Sequence, residues 1–167
     1  MAGQDWSAAD LATVRVKPSV FSRAPASVRA EMERRGCTIP QPHGATQPAN
    51  LVSGRFTSVA QTDWAGLCSR ERISVILVFR GGSTTDVAEL ARQPDRGYLQ
   101  GLGGGIIGFS RGLGMADAAY IRAHHDPRSS PSLPVLDHDG INDIFIEKGS
   151  IVWYWSQGRW LELAGSD

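Results

Sequence analysis

Apolar residues recur along this chain with two different periods. The N-terminal quarter carries helical spacing. Ser7-Ala8-Ala9-Asp10 has the spacing of a capping box, with Leu11 and Val14 as inward positions of a short helix. Ala24-Pro25 suits a first helical turn, and the segment Ala26 to Arg35 predicts a helix with Val28 and Met32 inward. Gly36 is the left-handed cap beyond it. The outer face of that helix, with Arg29, Glu31, Glu33, Arg34 and Arg35, reads as solvated surface. Thr38 to Ala49 holds three prolines, one glycine and His43, and reads as an irregular connection.

Strand-like runs follow at Asn50 to Thr57, Thr62 to Ser69 and Ile73 to Phe79. The last is almost continuously apolar, the pattern of a central strand buried on both faces. Together they predict an antiparallel meander over 50–80. Ser83-Thr84-Thr85-Asp86 is a second capping box, predicting a helix with Val87, Leu90 and Ala91 inward and an end at Pro94. A glycine-rich stretch, Gly101 to Gly105, leads to Ile106 to Ser110, and Met115 to His125 predicts another helix that stops before Pro127. After a Ser/Pro linker, a second meander spans 135–163. Val135 to Ile146 reads as strand, acidic turn and strand. Ser150 to Trp155 and Arg159 to Leu163 complete it, with turns at Lys148-Gly149 and Ser156-Gln157-Gly158. The expected fold is therefore α+β: two antiparallel β-meanders forming one sheet system, with three or four flanking helices. The expected organisation is a single domain over 1–167, with N-terminal helices in 1–40 and a helical and Gly-rich middle in 83–126.

Composition narrows the function classes. Hydrophobic residues make up 41% and charged residues 20% of 167 residues, an ordinary globular balance. Lys plus Arg and Asp plus Glu number 17 each, so the chain has no electrostatic footprint for nucleic acid or an anionic membrane. No apolar run is long enough for a membrane span. The opening Met1-Ala2-Gly3-Gln4-Asp5-Trp6 lacks the hydrophobic core of a signal peptide. A cytoplasmic chain looks like this, and so does a mature secreted domain carrying an added start methionine. Cys37 and Cys68 form either one disulfide or two buried free thiols. A disulfide there closes a loop of about thirty residues and stabilises by roughly 3–4 kcal/mol. We take the disulfide, and with it a periplasmic or secreted location, as the expectation.

Three stretches carry candidate chemistry. The first is Asp137-His138-Asp139-Gly140-Ile141-Asn142-Asp143. Calcium takes six to eight oxygen ligands, and Asp137, Asp139, Asp143 and the carbonyl of Ile141 have suitable spacing; an Asx-turn is the alternative. The second is Gly108-Phe109-Ser110-Arg111-Gly112, which matches the G-x-S-x-G nucleophile elbow. A catalytic Ser110 requires a histidine to take its proton, with His138 beside Asp137 as one candidate. Against this stand the antiparallel strands and a chain too short for the usual hydrolase sheet. The overlapping Gly103-x-Gly105-x-x-Gly108 lacks the βαβ context of a dinucleotide site. His124-His125-Asp126 with His138 could bind zinc, or simply favour a helix C-terminus. The third stretch is aromatic. Trp153 and Trp155 share one strand face, Tyr154 takes the other, and Trp160 lies nearby; core packing and a sugar-stacking platform both fit.

The two meanders resemble each other. Gly54-Arg55-Phe56, then Thr62 to Leu67, then Ile73 to Phe79 parallels Asp137 to Asn142, then Asp143 to Glu147, then Ser150 to Trp155. An aspartate, Asp63 or Asp143, opens each middle strand. This resembles the FG-GAP-like repeats of integrin α-chain propellers and related bacterial extracellular proteins, in which an acidic calcium loop precedes the strand. The likeness covers about a third of the chain, and two units cannot close a propeller. Arg35-Gly36-Cys37-Thr38-Ile39-Pro40 with Thr62-Asp63-Trp64-Ala65 also resembles small uncharacterised bacterial exported proteins. The resulting expectation is an exported, non-catalytic binding or structural domain with a calcium-stabilised turn and an unknown ligand or protein partner. A small serine hydrolase using Ser110 is the alternative.

Overall fold

The run Ile73–Phe79 is a central strand, buried at every position after the first. The computed structural model describes residues 5–128 and 132–167. In chain order the elements are α1 (Trp6–Ala12), β1 (Arg15–Val16), α2 (Ala26–Arg34), β2 (Ile39–Pro40), β3 (Leu51–Gly54), β4 (Asp63–Arg70), β5 (Ile73–Phe79) and β6 (Ala88–Pro94). Then come β7 (Leu99–Gly103), β8 (Ile106–Phe109), β9 (Arg111–Ala116), α3 (Ala118–His124), β10 (Gly140–Phe145), β11 (Gly149–Ser156) and β12 (Arg159–Ala164). Two four-stranded antiparallel sheets, β3-β4-β5-β6 and β12-β11-β10-β9, are accompanied by the ribbons β1-β2 and β7-β8.

This corrects the α+β expectation. Among the described residues the chain is mostly β, with 41% strand, 21% helix, twelve strands in four sheets and three α-helices. The largest change is at 83–94, where the expected helix is edge strand β6. Its local composition favours helix, but β5 has a full row of buried backbone groups that need partners. Pairing wins, with a register shift opposite Ser74/Ile76 and Ala91 at φ +52° absorbing the mismatch. Ser83 Oγ accepts from the Thr85 amide and closes a turn rather than capping a helix. The helix expected over Met115 to His125 is likewise shortened to Ala118–His124, because the alternation Arg111-x-Leu113-x-Met115 belongs to β9.

Both N-terminal helices form, but α1 is capped by Asp5, whose side chain accepts from the Ala8 amide, and Leu11 and Val14, expected inward, are exposed. The signals of the second helix hold better. In α2, Val28 and Met32 are buried. Gly36, at φ +75°, ends it with the Cys37 amide donating to the Met32 carbonyl and the Gly36 amide to the Glu33 carbonyl, the double closure of a Schellman cap. Cys37 then meets Cys68 of β4 in a disulfide with Cα atoms 4.7 Å apart, 31 residues distant in sequence. Met32 sits against Gly66, where a Cβ would come within 3.1 Å of its methyl carbon. Thus α2 and the disulfide cover one face of the first sheet. The core continues through that sheet to Leu113 of β9 and Ile141 of β10. A smaller cluster, Ala116, Ile121, Val152 and Tyr154, seats α3 on the outer face of the second sheet.

The two sheets are joined by side-chain mimicry of a strand. Buried Asn50 donates to the carbonyls of Pro40 (2.8 Å) and Arg111 (3.0 Å) and accepts from the Leu113 amide (2.8 Å). At the far end of β3, the Asp139 amide donates to the Arg55 carbonyl at 2.9 Å. Three buried aspartates complete this polar framework. Asp63 accepts from the Thr57 amide and hydroxyl, the Gln61 amide group and the Gly81 amide. Asp95 gathers Arg15, Ser69 and Ser74. Asp143 receives Arg111 through two bonds of 2.8 Å each, with both side chains almost wholly buried. Arg111 also donates to the Ala91 carbonyl and lies 4.4 Å from the Tyr98 ring centroid.

Candidate functional site

The acidic stretch does not converge on a cation. Asp143 is committed to Arg111, Asp139 Oδ2 accepts from the Arg55 amide at 3.3 Å, and the Asp137 side chain is 72% exposed. Ile141 lies within the ladder of β10, paired with Trp153 and Met115. Among the described residues no cluster of three His, Cys, Asp or Glu side chains is placed to hold a metal ion. Nor are the two meander aspartates equivalent. Asp63 opens β4 and ties down the 57–61 turn, whereas Asp143 lies inside β10 opposite Leu113 and Ile151.

The elbow motif is also something else. Ser110 is buried between β8 and β9, two strands rather than a strand and a helix. Its hydroxyl donates to the Gly108 carbonyl at 3.3 Å. His138 is occupied elsewhere: Nδ1 faces the Asp139 carbonyl at 2.8 Å and Nε2 the Trp155 carbonyl at 2.9 Å. Both nitrogens are engaged by backbone carbonyls of its own surroundings, and no hydrogen bond joins the ring to Ser110 among the described residues. Gly103, Gly104 and Gly105 form the tip of the β7-β8 hairpin, with no helix following as a dinucleotide site requires. His124 bonds the Tyr120 carbonyl on its own helix.

The strand period separates Tyr154 from the tryptophans of β11. Tyr154 points into the small cluster, while Trp153 packs against the main core. Trp155 instead lines a cleft of about 620 Å³. One wall is the 57–59 turn, ordered by buried Asp63 and by Arg55, which donates to the Val59 carbonyl at 3.0 Å. The opposite wall is the segment 134–138. There the Tyr154 hydroxyl accepts from the Asp137 amide (3.0 Å) and donates to the Val135 carbonyl (3.2 Å). His138 stacks parallel on the Tyr154 ring, 4.3 Å between centroids. Burial pushes the Tyr154 hydroxyl pKa up, against the opposing pull of the bonds from His138 and Asp137. Arg55 and Asp139 join the two walls.

The third side is the hairpin between β11 and β12. Gln157 (φ +51°) and Gly158 (φ +78°) make the two-residue turn that a tight hairpin demands, and it presents Ser156, Gln157 and Arg159 beside Trp155. The side chains of Ser132, Ser156, Gln157 and Arg159 take up none of the hydrogen bonds or ion pairs among the described residues. Sequence reasoning singled out Trp155 but not these neighbours. The available signal was the turn itself, which clusters polar residues next to an aromatic strand end. A comparison with family models, curated proteins and solved structures finds no match to this chain.

Proposed function

We propose that this chain is an exported, non-catalytic binding domain whose ligand occupies the cleft beside Trp155. The observation that carries this reading is a contrast between polar groups. The buried carboxylates Asp63, Asp95 and Asp143 are each held by several donors. Ser156, Gln157 and Arg159 are uncommitted, and they flank one tryptophan in a cleft whose walls are fixed by buried anchors. Such pre-organisation lowers the ordering cost of binding. Ser110, with its hydroxyl turned to a carbonyl, gives no support to the hydrolase alternative. The acidic turn enters as a brace, through Asp139. Export is supported by the Cys37–Cys68 disulfide, since such bonds persist in oxidising compartments. No helix among the described residues is long and apolar enough to cross a membrane.

The test pairs a fluorophosphonate probe with amide-shift mapping against a small-fragment library. The expected result is no labelling, with shifts clustered at 57–59, 134–138 and 155–159. Labelling of the wild type but not of Ser110→Ala overturns the proposal.

A further inference from the structure

We infer that the ligand of this cleft is an uncharged oligosaccharide whose pyranose ring packs against Trp155; the inference rests on the binding reading above. A sugar ring has an apolar C–H face and a rim of hydroxyls that both donate and accept. The cleft offers the matching set. Trp155 supplies the apolar surface that lines the cleft, its ring positioned by the Arg80 guanidinium 5.0 Å from its centroid and by the tilted Trp160 ring at 5.3 Å. Ser156, Gln157 and Arg159 supply free donors and acceptors around it, and Asp137 supplies an exposed carboxylate.

Charge argues against other small-molecule classes. Asp137 and Arg159 oppose each other in the lining, so neither a phosphate nor a cation is favoured, and both His138 nitrogens are already occupied. The polar lining is ill matched to an apolar ligand. An amino-acid zwitterion could use the two opposite charges, but it would leave Trp155 and the serine hydroxyls without a role.

Shape indicates a chain rather than a single ring. Ser132, Pro134, Arg159 and Leu161 line both this cleft and a second recess of about 280 Å³. The two adjoin along β12, and Leu133 and Leu163 continue the lining there. An extended oligosaccharide would run from Trp155 along that strand.

The experiment is isothermal titration of the full chain with hexamers of β-1,4-glucose, β-1,4-N-acetylglucosamine and α-1,4-glucose, with a zwitterionic tripeptide as contrast, each at low and high salt. One hexamer is expected to bind with Kd on the order of 10⁻⁴ M, little changed by salt. Trp155→Ala should weaken it roughly tenfold or more. Trp155→Phe and Arg159→Ala, milder changes at the same cleft, should weaken it several-fold with the melting temperature unchanged. Salt-sensitive tripeptide binding that Arg159→Ala removes overturns the saccharide inference while keeping the cleft. Saccharide binding indifferent to all three variants overturns the cleft as its site. Silence of every hexamer overturns the inference outright.

Discussion

Replacing Asp143 by Asn isolates the most heavily buried ion pair among the described residues. The change keeps size and shape but removes the charge that two 2.8 Å bonds bring to Arg111. Arg111 is then a cation with no exposed side-chain surface, left with one neutral amide oxygen, the Ala91 carbonyl and the Tyr98 ring, while the Asn amide nitrogen would face it as a second donor. Removing one partner of a buried pair costs about 3–5 kcal/mol, because the other charge stays desolvated. For a chain of this length each kcal/mol lowers the melting temperature by about 2–4 °C, so the expected fall is about 6–20 °C. Arg111→Met combined with Asp143→Leu should recover most of that loss, since a well-packed apolar pair is often as stable as the ion pair it replaces. The assay is urea denaturation of wild type, Asp143→Asn, Arg111→Met, Asp143→Leu and the Met/Leu double, the last three read with wild type as a double-mutant cycle. A cost below about 1 kcal/mol for Asp143→Asn, the range of an exposed pair, would refute the reasoning.

Other consequences are equally open to measurement. Asn50→Ala strands the Leu113 amide and should cost about 1–3 kcal/mol, with faster hydrogen exchange at Leu113; unchanged exchange there would show that Asn50 does not join the sheets. Glu71 and Arg72 both have positive φ in the turn between β4 and β5, a geometry suited to Asn-Gly. Glu71→Asn with Arg72→Gly should stabilise by about 1 kcal/mol, and a lower melting temperature would contradict the turn assignment. Burial pushes the Tyr98 and Tyr154 hydroxyls up. For Tyr120, burial is outweighed by hydrogen bonds from Ser150, Ser166 and Asn142, which leave it lowered. The fold therefore favours protonated Tyr98 and Tyr154, a contribution fully present below the ordinary tyrosine value of about 10 and lost as pH rises beyond it through their raised folded values. Absorbance at 295 nm should show Tyr120 ionising before Tyr98 and Tyr154, and three titrating together would count against this. Millimolar calcium, compared with chelator, should leave the melting temperature unchanged, because Asp143 would have to release Arg111 to bind it; a clear rise would restore the acidic turn as a cation site.

The parts of the fold legible in the sequence are those where local pattern and tertiary need agree. The run Ile73–Phe79 is apolar throughout because both of its faces are covered, and Gly36 follows a helix that must stop where Cys37 turns toward Cys68. Strand β6 was illegible because its residues suit a helix, and only the unpaired edge of β5 decides otherwise. The chemistry of the acidic turn was misleading for a related reason. Spacing placed Asp143 with Asp137 and Asp139, but its partner, Arg111, lies 32 residues earlier in the chain. One signal was present: in Arg111-Gly112-Leu113-Gly114-Met115 the alternation puts Arg111 on the same inward face as Leu113, which requires a buried counter-charge. Trp155 was legible as a candidate binding residue, but its half-bonded surroundings emerge only when the 57–59, 134–138 and 155–159 segments come together.

The central claim, that the uncommitted polar groups around Trp155 mark the ligand site, is tested most directly by intermolecular nuclear Overhauser effects. The sample is the full chain saturated with the best-binding hexamer. Effects are expected between the Trp155 indole protons and the axial ring protons on one face of a pyranose, together with contacts from Ser156 and Gln157. Effects confined to another surface, or a bound sugar that never approaches Trp155, would contradict it.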